Sequence, residues 1–475
     1  MFQLYLRQFL LLIMVALSAG VRAQHNVPGK RPNILFIFTD DQRRVGTFLS
    51  PDLLKTPVLD SLAHSGISFQ NSYIMGGTSG AVCAPSRGSM FTGRSVFEMR
   101  GNYGQVIPDS LILLPQYLKA NGYYTWMTGK WHNEYAPFVR SFSGGASIFF
   151  SGMGPQYAFR VNDFRADGQY TQGNSRPAPE GVHATDLFAD EAIRFLESYK
   201  EDDPFFAYVA FKTPHDPRTV ALAFQHLYDP ATTKLPPNFL PEHPFDNGDL
   251  RIRDEQLAAF PRDSTEIRKH IADYYAMITH IDQRIGDILN VLKRKGLDKN
   301  TLVIFASDNG LAVGQHGLMG KQNLYEHSVG VPLIFSGPGV WPHQSGKALT
   351  YLTDIFPTLC NYLGLPVPAK EQMMGESLLP ALQGKVFSGR TSQYYIYANY
   401  QRALRKGPYK LIEYLVKGTR HTQLFNLDTD PWETRDIAGA KNMQPVIRQL
   451  RAEMQRWHQR THDPMPVFYG TAVSK

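Results

Sequence analysis

The chain has only two cysteines in 475 residues, Cys83 and Cys360. That is too few to staple a molecule of this length, so a disulfide framework is excluded. Beyond residue 23 no apolar run reaches the roughly 20 residues of a membrane-spanning helix. Basic blocks and arginine–aromatic interleaving are also missing, which argues against nucleic-acid binding despite a formal charge of +7. No repeat of fixed period is evident. What is present is a hydrophobic fraction of 43%, enough for a sizeable core and incompatible with global disorder.

The first residues combine Arg7, the apolar run from Phe9 to Leu17, and small residues ending in Val21 and Ala23. This pattern predicts a secretory signal peptide over residues 1–23, cleaved before Gln24. The leader has no cysteine to carry a lipid anchor. The mature chain is therefore expected to be periplasmic or secreted, without stable membrane insertion. Its charge falls from +7 to +5 once Arg7 and Arg22 leave, a value equally suited to plain solubility and to an anionic small molecule or glycan.

Three continuous apolar runs, Pro32 to Thr39, Pro204 to Phe211 and Thr301 to Ala306, end in polar residues, and Val331 to Phe335 is a fourth run. Unbroken hydrophobicity predicts strands buried on both faces, as in a parallel sheet covered by helices. Helical patterns fall between them, at Thr56 to His64, Ala184 to Tyr199 and Ile267 to Leu292. The expected fold class is α/β, with a large central, mostly parallel sheet flanked by helices. A main α/β domain over residues 24–375 is followed by a smaller C-terminal subdomain over 376–475. Shorter strands at Gln393 to Ala398, Tyr409 to Leu415 and Gln423 to Asn426, with a helix from Met443 to Trp457, predict an antiparallel sheet plus a helix. Ser141 to Pro179 and Pro236 to Asp263 read as loops walling a cleft.

Asp40 and Asp41 end one apolar run, and Asp308 and Asn309 end another. Carboxylates and amides at neighbouring strand ends suit a hard divalent cation, calcium rather than zinc, because no cysteine pair or compact histidine cluster is present. Asp-Asn-Gly is equally a turn sequence, and adjacent aspartates are often caps. Cys83 precedes a helix opening at Pro85, with Arg87 four residues on, so an anion there would meet backbone N–H groups and a guanidinium. The residues alone leave three readings of Cys83 open: an active cysteine, a disulfide with Cys360, or inert burial.

Cys83-Ala84-Pro85-Ser86-Arg87, continuing to Thr92-Gly93-Arg94, resembles the signature of the formylglycine-dependent sulfatases of the alkaline-phosphatase-like superfamily. It is accompanied in order by Pro32-Asn33-Ile34 with Asp40-Asp41, Gly129-Lys130-Trp131-His132, Pro214-His215, Ser307-Asp308-Asn309-Gly310 and Gly320-Lys321. The resemblance spans roughly residues 31–375. It implies that Cys83 is oxidised to formylglycine by a formylglycine-generating or equivalent maturation enzyme. One calcium ion would be held by Asp40, Asp41, Asp308, Asn309 and an oxygen on modified residue 83. Arg87 and Lys130 would hold the modified residue and the sulfate. His132 would assist the aldehyde chemistry, while His215 and Lys321 would contact the sulfate and the leaving oxygen. A hydrated aldehyde offers one hydroxyl to attack sulfur, with Asp308 as base, and a second to expel sulfate.

The expected reaction is removal of an O-sulfate from a sulfated carbohydrate, a step in glycan degradation. The alternatives are a phosphonate monoester or phosphodiester hydrolase of the same superfamily, and a non-catalytic glycan-binding protein on a sulfatase scaffold. For the sugar itself, His183, Asp163 and Arg165, with the aromatics Tyr157, Phe159 and Tyr170, are candidate contacts, and Arg402 and Arg405 are candidate partners for an anionic group.

Overall fold

The computed structural model describes residues 31–44, 50, 52–164, 175–200, 202–467 and 469. The expected signal peptide, Arg165 and Tyr170 lie outside these residues. The strands, in chain order, are β1 (Asn33–Asp40), β2 (Ile67–Tyr73), β3 (Gly76–Gly77), β4 (Tyr124–Lys130), β5 (Gly144–Phe149), β6 (Arg160–Phe164), β7 (Arg176–Pro177), β8 (Phe205–Pro214), β9 (Thr301–Ser307), β10 (Leu333–Ser336), β11 (Gln344–Tyr351), β12 (Ser392–Tyr397), β13 (Gln401–Lys406), β14 (Tyr409–Val416) and β15 (Thr419–Asn426).

Ten of them form one sheet in the order β11-β2-β10-β9-β1-β8-β4-β5-β6-β7. Its middle, from β9 through β1, β8 and β4 to β5, is parallel throughout. The alternation along β1 explains why its run Ile34 to Phe38 is unbroken. Ile34, Phe36 and Phe38 enter the core on one face, with the Cys83–Thr92 and Ile355–Tyr362 helices, and Leu35 and Ile37 enter a second core on the other. That second core is closed by the Pro57–Ser65, Ala184–Ser198 and Ser264–Arg294 helices. Both faces of the strand are therefore withdrawn from water, as the unbroken run requires.

Two expectations are corrected. The Val331 to Phe335 run does form a strand, but β10 is antiparallel to β9 and to β2. Ser141 to Pro179 is not simply a loop, because it contributes β5, β6 and β7 to the edge of the sheet. Its Gly- and Ser-rich texture hides strands that are short, although Ile148 and Phe164 enter one core and Phe149 and Val161 the other. By contrast, Pro236 to Asp263 holds one short turn of helix, Arg253–Leu257, and is otherwise irregular.

The smaller sheet runs β15-β14-β13-β12-β3. Its first four strands are antiparallel neighbours, and β3 joins in parallel from the segment just before Cys83. The Gln444–Arg460 helix packs here through Ile447, Leu450, Met454 and Trp457, one face at helical spacing. No helix among the described residues is long and apolar enough to cross a membrane.

Candidate active site

The carboxyl ends of β9, β1, β8 and β4 are adjacent, and open parallel sheets bind ligands outside such ends. Asp308 and Asn309 follow β9, Asp40 ends β1 with Asp41 next, His215 follows β8, and Lys130 ends β4 with His132 two residues on. Gly129 is required before Lys130: its φ is +91°, and a Cβ there would lie 1.9 Å from the Ala210 carbonyl oxygen. Asp41 and His132 adopt left-handed backbone with φ of 66° and 60°. Such strain persists where the surrounding structure holds it in place, and it gathers at functional sites.

The Cys83–Thr92 helix places Cys83 and Arg87 above these strand ends. Lys130 Nζ and Lys321 Nζ each lie 3.6 Å from Cys83 Sγ. Lys130 Nζ also donates to Asp40 Oδ2 at 2.5 Å, and Lys321 Nζ to Asp41 Oδ1 at 2.6 Å. Arg87 Nε donates to Asp308 Oδ2 at 2.8 Å and Arg87 Nη1 to the Lys130 carbonyl at 2.7 Å. His215 Nε2 is 3.6 Å from Asp41 Oδ2, while its Nδ1 is 2.7 Å from the Asp216 carbonyl oxygen.

Burial works to raise the pKa of all three aspartates, and the neighbouring charges decide the outcome. For Asp40, burial is outweighed by Lys130, His215 and Arg87, which hold it below the usual carboxylate range. Asp41 is held well below that range by His215 and Lys321 in the same way. Asp308 is pushed up to about 6 by burial and by the charge on Asp40, in spite of Arg87. Burial likewise raises the Cys83 thiol, and burial with Lys130 and Arg87 keeps His132 neutral, well below the ordinary imidazole range.

The ligand atoms of Asp40, Cys83 and Asp308 lie within 4.8 Å of one another, as do those of Asp40, Asp41 and His215. Asp40 Oδ1 and Asn309 Oδ1 are buried without a hydrogen-bond partner among the described residues. Buried acceptors of this kind are costly unless something satisfies them. The donor set consists of hard oxygens from carboxylates and an amide, and it fits a hard divalent cation.

Both cysteines are free and buried, so the disulfide reading of Cys83 with Cys360 does not hold. The expected sugar contacts take the following places. His183 is buried and caps the Ala184–Ser198 helix, its Nδ1 accepting from Thr185 N and its Nε2 facing the Thr219 carbonyl. Asp163 pairs with Arg176 and accepts from Ser147 N. Arg402 is buried on Asp463, at 2.6 and 2.9 Å, and Arg405 is buried beside Tyr73 and Glu326. His183, Arg402 and Arg405 are thus buried within the fold, whereas Asp163 stays exposed beside Arg176. Arg165 lies outside the described residues.

Several residues that hold the site were not singled out from sequence. Tyr208 OH lies 3.3 Å from Arg87 Nη1, from within an apolar strand where nothing marks it. Glu255, in the Pro-rich segment, accepts from Met319 N at 2.9 Å and Gly320 N at 3.0 Å and pairs with Arg262, fixing the chain just before Lys321. Asp254 accepts from Gln322 Nε2 at 2.8 Å on the other side of that lysine.

The sulfatase family model matches residues 32–365, and a model for the C-terminal part of N-sulphoglucosamine sulphohydrolase matches residues 314–460. An N-acetylglucosamine-6-O-sulfatase of Bacteroides thetaiotaomicron is 28% identical over 96% of this chain and 92% of its own length. A solved sulfatase-fold structure in complex with D-glucosamine-2-N,6-O-disulfate superposes with a TM-score of 0.78 at 23% identity, covering 92% of this chain and 100% of that one. The phosphonate monoester hydrolase of Agrobacterium radiobacter does so with a TM-score of 0.72 at 21% identity, covering 91% and 96%. With the family model spanning the whole strand-end constellation, the chain belongs to the sulfatase family and is a sulfuric ester hydrolase.

Proposed function

We propose that this chain is an exported enzyme that removes an O-sulfate from a sulfated carbohydrate, using Cys83 converted to formylglycine and one calcium ion. The observation that carries the reading is the convergence of Asp40, Asp308 and two lysines on the side chain of residue 83. The choice of a sugar substrate is supported by the relative named as an N-acetylglucosamine-6-O-sulfatase, which aligns over nearly the full chain.

Asp40, Asp41, Asp308 and Asn309, with an oxygen at residue 83, would hold the ion, whose charge supplies electrostatic stabilisation to the sulfuryl oxygens. The hydrated aldehyde supplies one hydroxyl as nucleophile and a second whose deprotonation releases sulfate, a route closed to a thiol. Lys130 and Lys321, each 3.6 Å from the side chain of residue 83, are placed to donate to sulfate oxygens as negative charge grows on them. Arg87 is locked by Asp308 and the Lys130 carbonyl, so it adds positive charge in a fixed orientation. His215 has Nδ1 2.7 Å from the Asp216 carbonyl oxygen, which turns Nε2 toward the site, where it is placed to pass a proton to the leaving oxygen. His132, kept neutral by burial and the neighbouring cations, is suited to take up a proton.

A phosphonate or phosphate ester is the second reading, supported by the fold shared with the Agrobacterium enzyme. A panel of defined sulfated mono- and disaccharides, with released sulfate measured beside a Cys83→Ala control and phosphonate esters of matched leaving group, tests both. Sulfate release from one ring position, abolished in Cys83→Ala, is expected. Faster hydrolysis of the matched phosphonate would overturn the choice of ester.

A further inference from the structure

Lys212 is 2% exposed and sits on β8, three residues before His215. Its Nζ donates to the carbonyl oxygens of Gly154 at 2.8 Å and Pro155 at 2.7 Å. It also lies over the rings of Phe149 and Phe159, 4.8 and 4.4 Å from their centroids. No carboxylate forms an ion pair with it among the described residues. Burial, with repulsion from Lys130, pushes its ammonium down to about 7. A cation retained in such a place is held for what it binds, since an apolar side chain would fill the same space at lower desolvation cost.

What it binds is the turn over residues 150–156, and that turn touches both histidines of the site. Gly152 lies flat against His132: a Cβ at this position would come 2.4 Å from His132 Nε2 and 2.8 Å from its Cε1. Gln156, 1% exposed, donates from Nε2 to the His215 carbonyl at 3.0 Å. The same residue's backbone oxygen accepts from Ala184 N at 2.9 Å, which ties the far end of the turn to the Ala184–Ser198 helix. Between these two anchor points the turn is gripped by Lys212.

We propose that Lys212 is a positioning residue, which fastens the 150–156 turn so that Gly152 walls the imidazole of His132 and Gln156 fixes the backbone of His215. The proposal rests on the proton-transfer roles given above to these two histidines. Misplacing a reacting group by about 1 Å costs on the order of 100-fold in rate, so the effect belongs in kcat rather than in substrate affinity.

The test uses Lys212→Met, which keeps the length and packs between the two phenylalanines without a donor, and Lys212→Arg, which restores donors to both carbonyls. The formylglycine-bearing enzyme is assayed on a sulfated monosaccharide, and amide hydrogen exchange is followed over residues 150–156. Lys212→Met is expected to lower kcat about 10- to 100-fold with KM little changed. The turn should exchange faster, and Lys212→Arg should recover both. In a His132→Ala or His215→Ala background the loss from Lys212→Met should shrink, since coupled residues are not additive. The proposal is overturned if Lys212→Met leaves kcat and exchange unchanged, or costs the same factor in both alanine backgrounds. If the alanine variants themselves keep full kcat, the proton-transfer reading falls and this proposal with it. If they lose activity and Lys212→Met does not, only this proposal falls.

Discussion

Glu255→Gln should damage catalysis from a residue that never meets the substrate. One carboxylate receives Met319 N and Gly320 N on separate oxygens and faces the Arg262 guanidinium, so three donors converge on it immediately before Lys321. An amide of the same shape retains one accepting oxygen and turns an NH2 toward a second donor. The loss of a hydrogen bond to a charged acceptor is about 1.5–3 kcal/mol, and a stranded buried N–H adds about 1–3 kcal/mol. Arg262 keeps the carbonyl oxygens of Glu255 and Gly317, at 2.7 and 3.0 Å, which limits its own loss. A fall in unfolding free energy of about 2.5–6 kcal/mol follows, read as a lower urea midpoint at unchanged slope. If about 2 kcal/mol of this is expressed as displacement of Lys321, kcat/KM falls about 30-fold. The loss should appear with every leaving group, because Lys321 is assigned to the sulfate oxygens. A lower midpoint with kcat/KM intact for every leaving group would refute the argument that Glu255 places Lys321.

Three further outcomes are expected. His183 is held down to about 4 by burial and the nearby His280, below its ordinary value of 6.5. The unfolded chain therefore binds the extra proton, and the stability that this group contributes is present above about pH 6.5 and lost toward pH 4, about 3 kcal/mol in all. His183→Asn, which keeps a helix-capping acceptor, should show that much less acid destabilisation in urea titrations at the two pH values. Arg402→Met strands the buried Asp463 and should cost about 3–5 kcal/mol by chemical denaturation, while Arg402→Met with Asp463→Leu should recover most of it. Calcium at 100 times its dissociation constant should stabilise the enzyme by about 2.7 kcal/mol. This is read as a rise in Tm that a chelator reverses and Asp40→Asn abolishes; a Tm indifferent to calcium in the wild-type enzyme would contradict the ion site.

The parts of the fold that were legible in the sequence are those where a local pattern has a single physical outcome. β1, β8 and β9 carry unbroken apolar runs, Ile34 to Phe38, Phe205 to Phe211 and Leu302 to Ala306, because both faces are covered, so their existence and the polar residues after them could be read directly. The direction of β10 could not, since a four-residue strand looks the same parallel or antiparallel. β13 escaped notice because Gln401-Arg402-Ala403-Leu404-Arg405-Lys406 reads as a charged surface segment. Arg402 and Arg405 are buried there only because Asp463 and Glu326, far along the chain, come to meet them. The same limit applies at the site. Asp40, Asp41, Cys83 and Asp308 are marked by strand ends and by the signature around residue 83, whereas Glu255, Tyr208 and Lys212 act through backbone atoms or neighbours that only tertiary structure supplies.

The account stands on the chemical form of residue 83. The most direct measurement is the mass of the peptide containing it, taken from catalytically active protein produced beside a formylglycine-generating enzyme. Conversion of the thiol to the aldehyde predicts a peptide about 18 Da lighter than the cysteine form. An unmodified thiol in protein that turns over its sulfate ester at full rate would contradict the account.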